Sequence, residues 1–78
     1  MREAFGLIKD IMLAAEGRHM TDICKISNIQ TNVFKKYIAV LLVGEYVSVE
    51  HRGRVFYTTT NKGKEWIKLF DELSKVLP

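Results

Sequence analysis

Gln30, Thr31 and Asn32 bring two side-chain amides and a hydroxyl together, and Lys35 and Lys36 add two ammonium groups one helical turn later. A side-chain amide can pair with both edge atoms of adenine in the major groove, and ammonium groups bind phosphate oxygens. Read as a helix from about residue 30 to 43, this stretch places Phe34, Tyr37, Ile38, Leu41 and Leu42 along its other side. One side would fix the helix to a core while the other meets base edges and phosphates. Further on, His51-Arg52-Gly53-Arg54 sets two guanidinium groups around a glycine. Such a tip suits phosphate or minor-groove contact. Bond-making chemistry finds no support: there is no paired-carboxylate, nucleophile–base, phosphate-loop or metal-ligand pattern.

Each of these residues also has a plainer reading. Lys35 and Lys36 could be the solvated side of an amphipathic helix, and Arg52 and Arg54 could keep a hairpin edge soluble. His19 and His51 lack carboxylates or thiols at ligand spacing, so they read as partly exposed histidines and no metal or cofactor is expected. Cys24 reads as a small core residue where Ala would also fit. Trp66, Phe70 and Tyr46 are core or interface aromatics before they are base-stacking platforms.

A chain of 78 residues has room for one small core and none for a deep catalytic cleft. Its apolar residues, 47% of the total, are dispersed, and no run approaches the roughly 20 needed to cross a bilayer. Lys9 and Asp10 interrupt any cleavable-signal pattern, and a single cysteine suits a reducing compartment. A cytoplasmic, nucleoid-associated location is the expectation. The net charge is only +3, but it is unevenly spread. From Arg18 to Lys64 eight basic residues face three acidic ones, a net of +5, while the two ends together carry −2. An anionic partner for the middle segment follows.

The elements that position these groups can be read in order. Residues 2 to 16 repeat Ala4, Leu7, Ile8, Ile11 and Ala15 at helical spacing, and Gly17 suits the helix end. Arg18, His19 and Met20 make a short connector. Thr21 is the expected N-cap of a second helix, with Ile23 and Ile26 on one shared face. Asn28 marks a sharp turn, because Asn tolerates left-handed backbone angles, and Ile29 buries itself just after it. Gly44 ends the third helix. Residues 46–50 and 55–59 alternate as strands, and Gly53 supplies the positive φ of a hairpin loop. Thr60 is the expected N-cap of a last helix over about residues 61–77.

This order of elements is that of a winged helix. The chain resembles small archaeal-type winged-helix DNA-binding proteins over nearly its whole length. Phe-Lys-Lys-Tyr-Ile at 34–38 is similar to the Leu-Lys-Lys-Tyr-Leu run of their recognition helix. Tyr-Thr-Thr-Thr-Asn-Lys-Gly-Lys-Glu at 57–65 is similar to their Tyr-x-Leu-Thr-x-Lys-Gly exit from the wing. Three departures stand out. Asn28 replaces the usual turn Gly, Gly44 comes one residue early, and Thr59 replaces the usual leucine.

The resemblance implies an α+β, mainly helical fold in a single domain over residues 1–78: a three-helix core, a two-stranded β-hairpin wing and a C-terminal helix. It implies a sequence-specific double-stranded-DNA-binding transcriptional regulator. Gln30, Thr31, Asn32 and Lys36 would probe bases, with Lys35, Arg52 and Arg54 on phosphates. An architectural DNA binder and a protein-interaction module are the alternatives. No small-molecule ligand is evident. The last helix carries a wide apolar arc with Trp66, Phe70, Leu73 and Leu77 along one stripe, which points to a homodimer.

Overall fold

The computed structural model describes residues 3–76. Its elements are α1 (Ala4–Ala15), α2 (Met20–Ser27), α3 (Thr31–Val43), β1 (Val47–Arg52), β2 (Arg54–Thr59) and α4 (Asn61–Val76). This is the order expected of a winged helix-turn-helix. Arg2 and Leu77, expected at helix ends, lie outside the described residues.

The core sits where α1, α2 and α3 meet the base of the hairpin. Ile11, Met12, Ile23, Phe34 and Val47 are its largest fully enclosed side chains. Met12 and Ala14 are buried beside Ile11 and Ala15, so α1 is enclosed on a broader arc than its spacing suggested, while Ala4 is exposed. On α3, Phe34, Ile38 and Leu41 are buried and Tyr37 and Leu42 half-buried, which matches the expected apolar side.

Two expectations for α2 are corrected. His19, not Thr21, is its N-cap: the Thr21 N–H donates to His19 Nδ1 at 3.3 Å. An acceptor nitrogen two residues ahead does the work expected of a hydroxyl. Ile23 and Ile26 also part company, with Ile23 fully buried and Ile26 57% exposed. Ser27 turns inward instead, and burial is tolerable because its hydroxyl donates to the Ile23 carbonyl within the helix. The turn itself follows the sequence. Asn28 is left-handed at φ 56°, the Ile29 N–H returns to the Cys24 carbonyl at 3.0 Å, and Ile29 is buried.

The connector after α1 is more than a link. Arg18 forms an isolated antiparallel bridge with Tyr57. Gly17 N–H donates to the Tyr57 carbonyl and Tyr57 N–H to the Arg18 carbonyl, both at 2.8 Å. So β2 has β1 on one edge and the connector on the other.

The strands are longer than expected. The register runs from Val47↔Thr59 to Arg52↔Arg54, leaving Gly53 alone at the tip with φ 72°. At the other end of β1, α3 closes with Gly44 in ordinary helical geometry, and the left-handed residue is Glu45 at φ 63°. The Tyr46 ring lies 2.6 Å from where a Gly44 Cβ would stand, so a small residue is needed one position before the left-handed turn.

Threonines join the hairpin to its neighbours. Thr59, in place of a leucine, is buried and donates to the Met12 carbonyl at 2.6 Å. Thr60 caps α4 as expected, accepting from the Gly63 N–H at 3.2 Å while its hydroxyl donates to the Glu45 carbonyl at 2.7 Å. Gly63 is the buried residue of α4, pressed on the base of β1. A Cβ there would stand 2.3 Å from the Tyr46 carbonyl oxygen and 2.6 Å from Thr59 Cγ2. Gly63→Ala should therefore lose about 1–3 kcal/mol to overpacking, outweighing the roughly 1 kcal/mol that Ala contributes in a helix. Urea denaturation should show a lower midpoint at unchanged m-value, and an equal or higher midpoint would contradict this packing.

Candidate nucleic-acid interface

The first turn of α3 stands at the surface. Gln30 is its N-cap residue, extended at φ −70° and ψ 149°, with no hydrogen bond from its side chain to the helix. The amide is thus held at the helix mouth and left available. Gln30, Thr31, Asn32, Lys35 and Lys36 are all exposed. The burial of Phe34, Ile38 and Leu41 on the other side aims this polar face outward.

These five side chains are not equally free. Asn32 Oδ1 accepts from the Val33 N–H at 3.0 Å, covering one of the N–H groups a helix start leaves unpaired. Its amide nitrogen remains available, and pairing with both edge atoms of adenine requires the oxygen to leave this local bond. The Thr31 side chain hydrogen-bonds Cys24 across the turn, so it also fastens α3 to α2. Lys36 Nζ lies 5.6 Å from the centre of the Tyr37 ring, loosely held by its own helix.

The hairpin tip supplies the second cationic group. Arg52 and Arg54 are exposed and face each other across Gly53. Tyr57 sets the hairpin relative to α3, its ring meeting Phe34 edge-on at 5.5 Å between centroids. His51 is exposed on the opposite face from the arginines, paired with Val55.

The charge distribution is sharper than the sequence count. Two of the eight basic residues in the middle segment serve the fold. Arg18 Nη1 donates to the Ala14 carbonyl at 3.0 Å. Lys62 Nζ donates to the Gly44 carbonyl at 2.8 Å and sits 4.5 Å from the Tyr46 ring centre, closing the end of α3. No sequence signal marked them off, because their partners are backbone carbonyls on other elements or in the preceding turn.

Among the described residues, no group of three or more His, Cys, Asp or Glu side chains converges as a metal site would require. His19 is occupied as a cap, and its Nε2 lies 3.2 Å from Asp22 Oδ2. No helix among those residues is long and apolar enough to cross a membrane.

A family model described as winged helix-turn-helix matches residues 1–77. The chain belongs to this winged helix-turn-helix family. No curated protein sequence gives a match. The winged helix-turn-helix is a DNA-binding fold, and the assignment of elements follows directly. The helix-turn-helix is α2, the Asn28 turn and α3, with α3 in the place of the recognition helix. The wing is β1 and β2.

Cys24 is half-buried beside this turn. Burial pushes its thiol pKa up, and the Thr31 hydrogen bond only partly offsets that. The folded state therefore holds the thiol proton more tightly. This favours folding below the unfolded thiol's pKa and fades as pH climbs through the raised value. At about pH 8, iodoacetamide should alkylate Cys24 more slowly than a small free thiol, and denaturant should remove the difference. Equal rates on the folded chain would contradict the enclosure.

Proposed function

We propose that the protein is a sequence-specific double-stranded-DNA-binding transcriptional regulator. The observation that carries the reading is the two-sided character of α3. Its apolar side is anchored by Phe34, Ile38 and Leu41, and its first two turns expose Gln30, Thr31, Asn32, Lys35 and Lys36. In this reading α3 enters the major groove. Gln30, Thr31, Asn32 and Lys36 probe base edges, Lys35 grips a phosphate, and the wing tip reaches the backbone or the minor groove.

The protein acts as a homodimer in the same proposal, with α4 as the dimerisation helix. Supporting it is the apolar surface left uncovered on that helix. Leu69 is 54% exposed, Leu73 49% and Val76 79%, at successive spacings of four and three. Trp66 and Phe70 stack at 5.3 Å beside them, and Phe5 of α1, 6.0 Å from Trp66, is 58% exposed. Phe70 leans towards α1, where Lys9 Nζ approaches its ring and pairs with Asp71. Trp66, Phe70 and Leu73 therefore stand at or beside an open apolar stripe that Leu69 and Val76 extend. Leu77 lies outside the described residues. A second copy covers the stripe at low cost. The pair would present two α3 helices to major-groove segments about 34–36 Å apart on a roughly palindromic site.

Binding and reading are separable by substitution. Replacing both Lys35 and Lys36 with Ala should weaken binding to every duplex and shallow the log-affinity against log-salt slope by about 0.9 for each phosphate no longer neutralised. Asn32→Ala should cost about 1–3 kcal/mol on a site selected from random duplexes and far less on unselected DNA. Unchanged affinity in the folded double-lysine variant would remove α3 from the interface. An equal Asn32→Ala loss on both duplexes would move the protein to the architectural class.

Light scattering at micromolar concentration should give the mass of a dimer. Leu73→Glu puts a charge on an exposed position, so it should leave the fold intact and yield monomers. A monomeric mass for the parent chain, kept when duplex is bound one-to-one, would exclude the dimer.

A further inference from the structure

The two arginines at the wing tip look equivalent in sequence, one on each side of Gly53. In the structure they are not. Arg52 and Arg54 pair across the hairpin, so both side chains leave from one face of the ribbon. Two residues further from the tip, Glu50 and Phe56 form the next pair on that face. Arg52 turns back over this pair. Its Nε lies 3.3 Å from Glu50 Oε1, and its guanidinium carbon lies 4.6 Å from the centre of the Phe56 ring. The same ring meets His19 at 6.3 Å with the planes 80° apart, and His19 caps α2. The row Glu50, Arg52, Phe56 and His19 thus runs from the wing to the start of the helix-turn-helix. Arg54 is exposed, and its guanidinium has no ion pair, hydrogen bond or ring contact among the described residues.

We propose that the wing presents one DNA-contacting cation, Arg54. Arg52 is a positioning residue, held by Glu50 and Phe56, that sets the wing tip relative to α2. This rests on the DNA-binding reading above and divides the roles of two arginines which that reading treats alike. The physical reason is differential. An exposed ion pair is weak by itself, and so is an exposed guanidinium–ring contact. Arg52 must give up both to reach a phosphate. Doing so also leaves the Glu50 carboxylate without its counter-ion beside the incoming polyanion. Arg54 gives up neither kind of contact. The face of the tip therefore carries one guanidinium neutralised locally and one that is not.

Salt titration of duplex affinity reads this directly, because each phosphate neutralised contributes about 0.9 to the slope. The full chain is compared with Arg54→Gln, Arg52→Gln and Glu50→Gln, each checked for folding by circular dichroism. Arg54→Gln should shallow the slope by about 0.9. Arg52→Gln should leave the slope unchanged and shift the backbone amide resonances of Phe56 and His19. Glu50→Gln should release Arg52 and steepen the slope by up to about 0.9. Equal shallowing by Arg52→Gln and Arg54→Gln would overturn the division of roles. So would an unchanged slope in Glu50→Gln, since Arg52 would then not be held back by that carboxylate. A slope that responds to the double Lys35/Lys36 substitution but not to Arg54→Gln would leave the DNA reading standing and remove this assignment. Failure of the parent chain to bind any duplex would overturn both.

Discussion

The antiparallel bridge between Arg18 and Tyr57 is the constraint on which the placing of the wing against the helix-turn-helix depends. A two-stranded hairpin is marginal in water and its direction is poorly fixed. Here the backbone of Tyr57 is hydrogen-bonded to the connector before α2, and its ring rests edge-on against Phe34 of α3. One residue therefore ties the wing to the connector before α2 and to the first turn of α3 by two different kinds of contact. Together with the buried Val47 and Thr59 at the base of the hairpin, it fixes the wing tip relative to the exposed lysines of α3.

The other end of the hairpin is fixed by close backbone approach. α4 begins where β2 ends, and Thr60 serves both, accepting from α4 and donating to the carbonyl of Glu45. Gly63 lets α4 lie directly on the Tyr46 backbone. Thr59 is accommodated in place of a leucine because a backbone acceptor, the Met12 carbonyl, waits within the core. At this end the buried polar groups are hydrogen-bonded, while the far half of α4 leaves apolar side chains exposed. The first turns of α4 are thus anchored to the hairpin, while its later turns carry exposed apolar side chains.

Electrostatics at the surface follows from what the fold has already used. Arg18 and Lys62 cap backbone carbonyls, and Arg52 lies against Glu50. The remaining exposed cations on α3 and the wing are fewer than the net charge of the middle segment suggests. A salt slope counts the cations that meet phosphates, not the formal charge of the segment. The free and the engaged basic residues of this chain therefore differ in their surroundings even where they are alike in type.

The sequence by itself determined the order of elements, the position of the turn and the two-sided character of α3. Those features are local. Asn28 adopts the left-handed angle because few other side-chain-bearing residues do so readily, and Phe34, Ile38 and Leu41 share a face through helical spacing alone. Only the tertiary structure decided which of two neighbouring groups does a given task. Ile26 lost its expected buried place, and Ser27 is buried, because the rotation of α2 is set by its contacts with α1 and α3 and a serine can satisfy its own hydroxyl inside a helix. His19 displaced Thr21 as cap because the bridge to Tyr57 holds the connector extended up to α2. Arg52 and Arg54 were indistinguishable along the chain. They separate in space because the hairpin register sets Glu50 and Phe56 on the face that Arg52 folds back over. Pairing across strands and contact between distant elements carry no local signature, and these contacts decide which polar groups remain free to meet a partner.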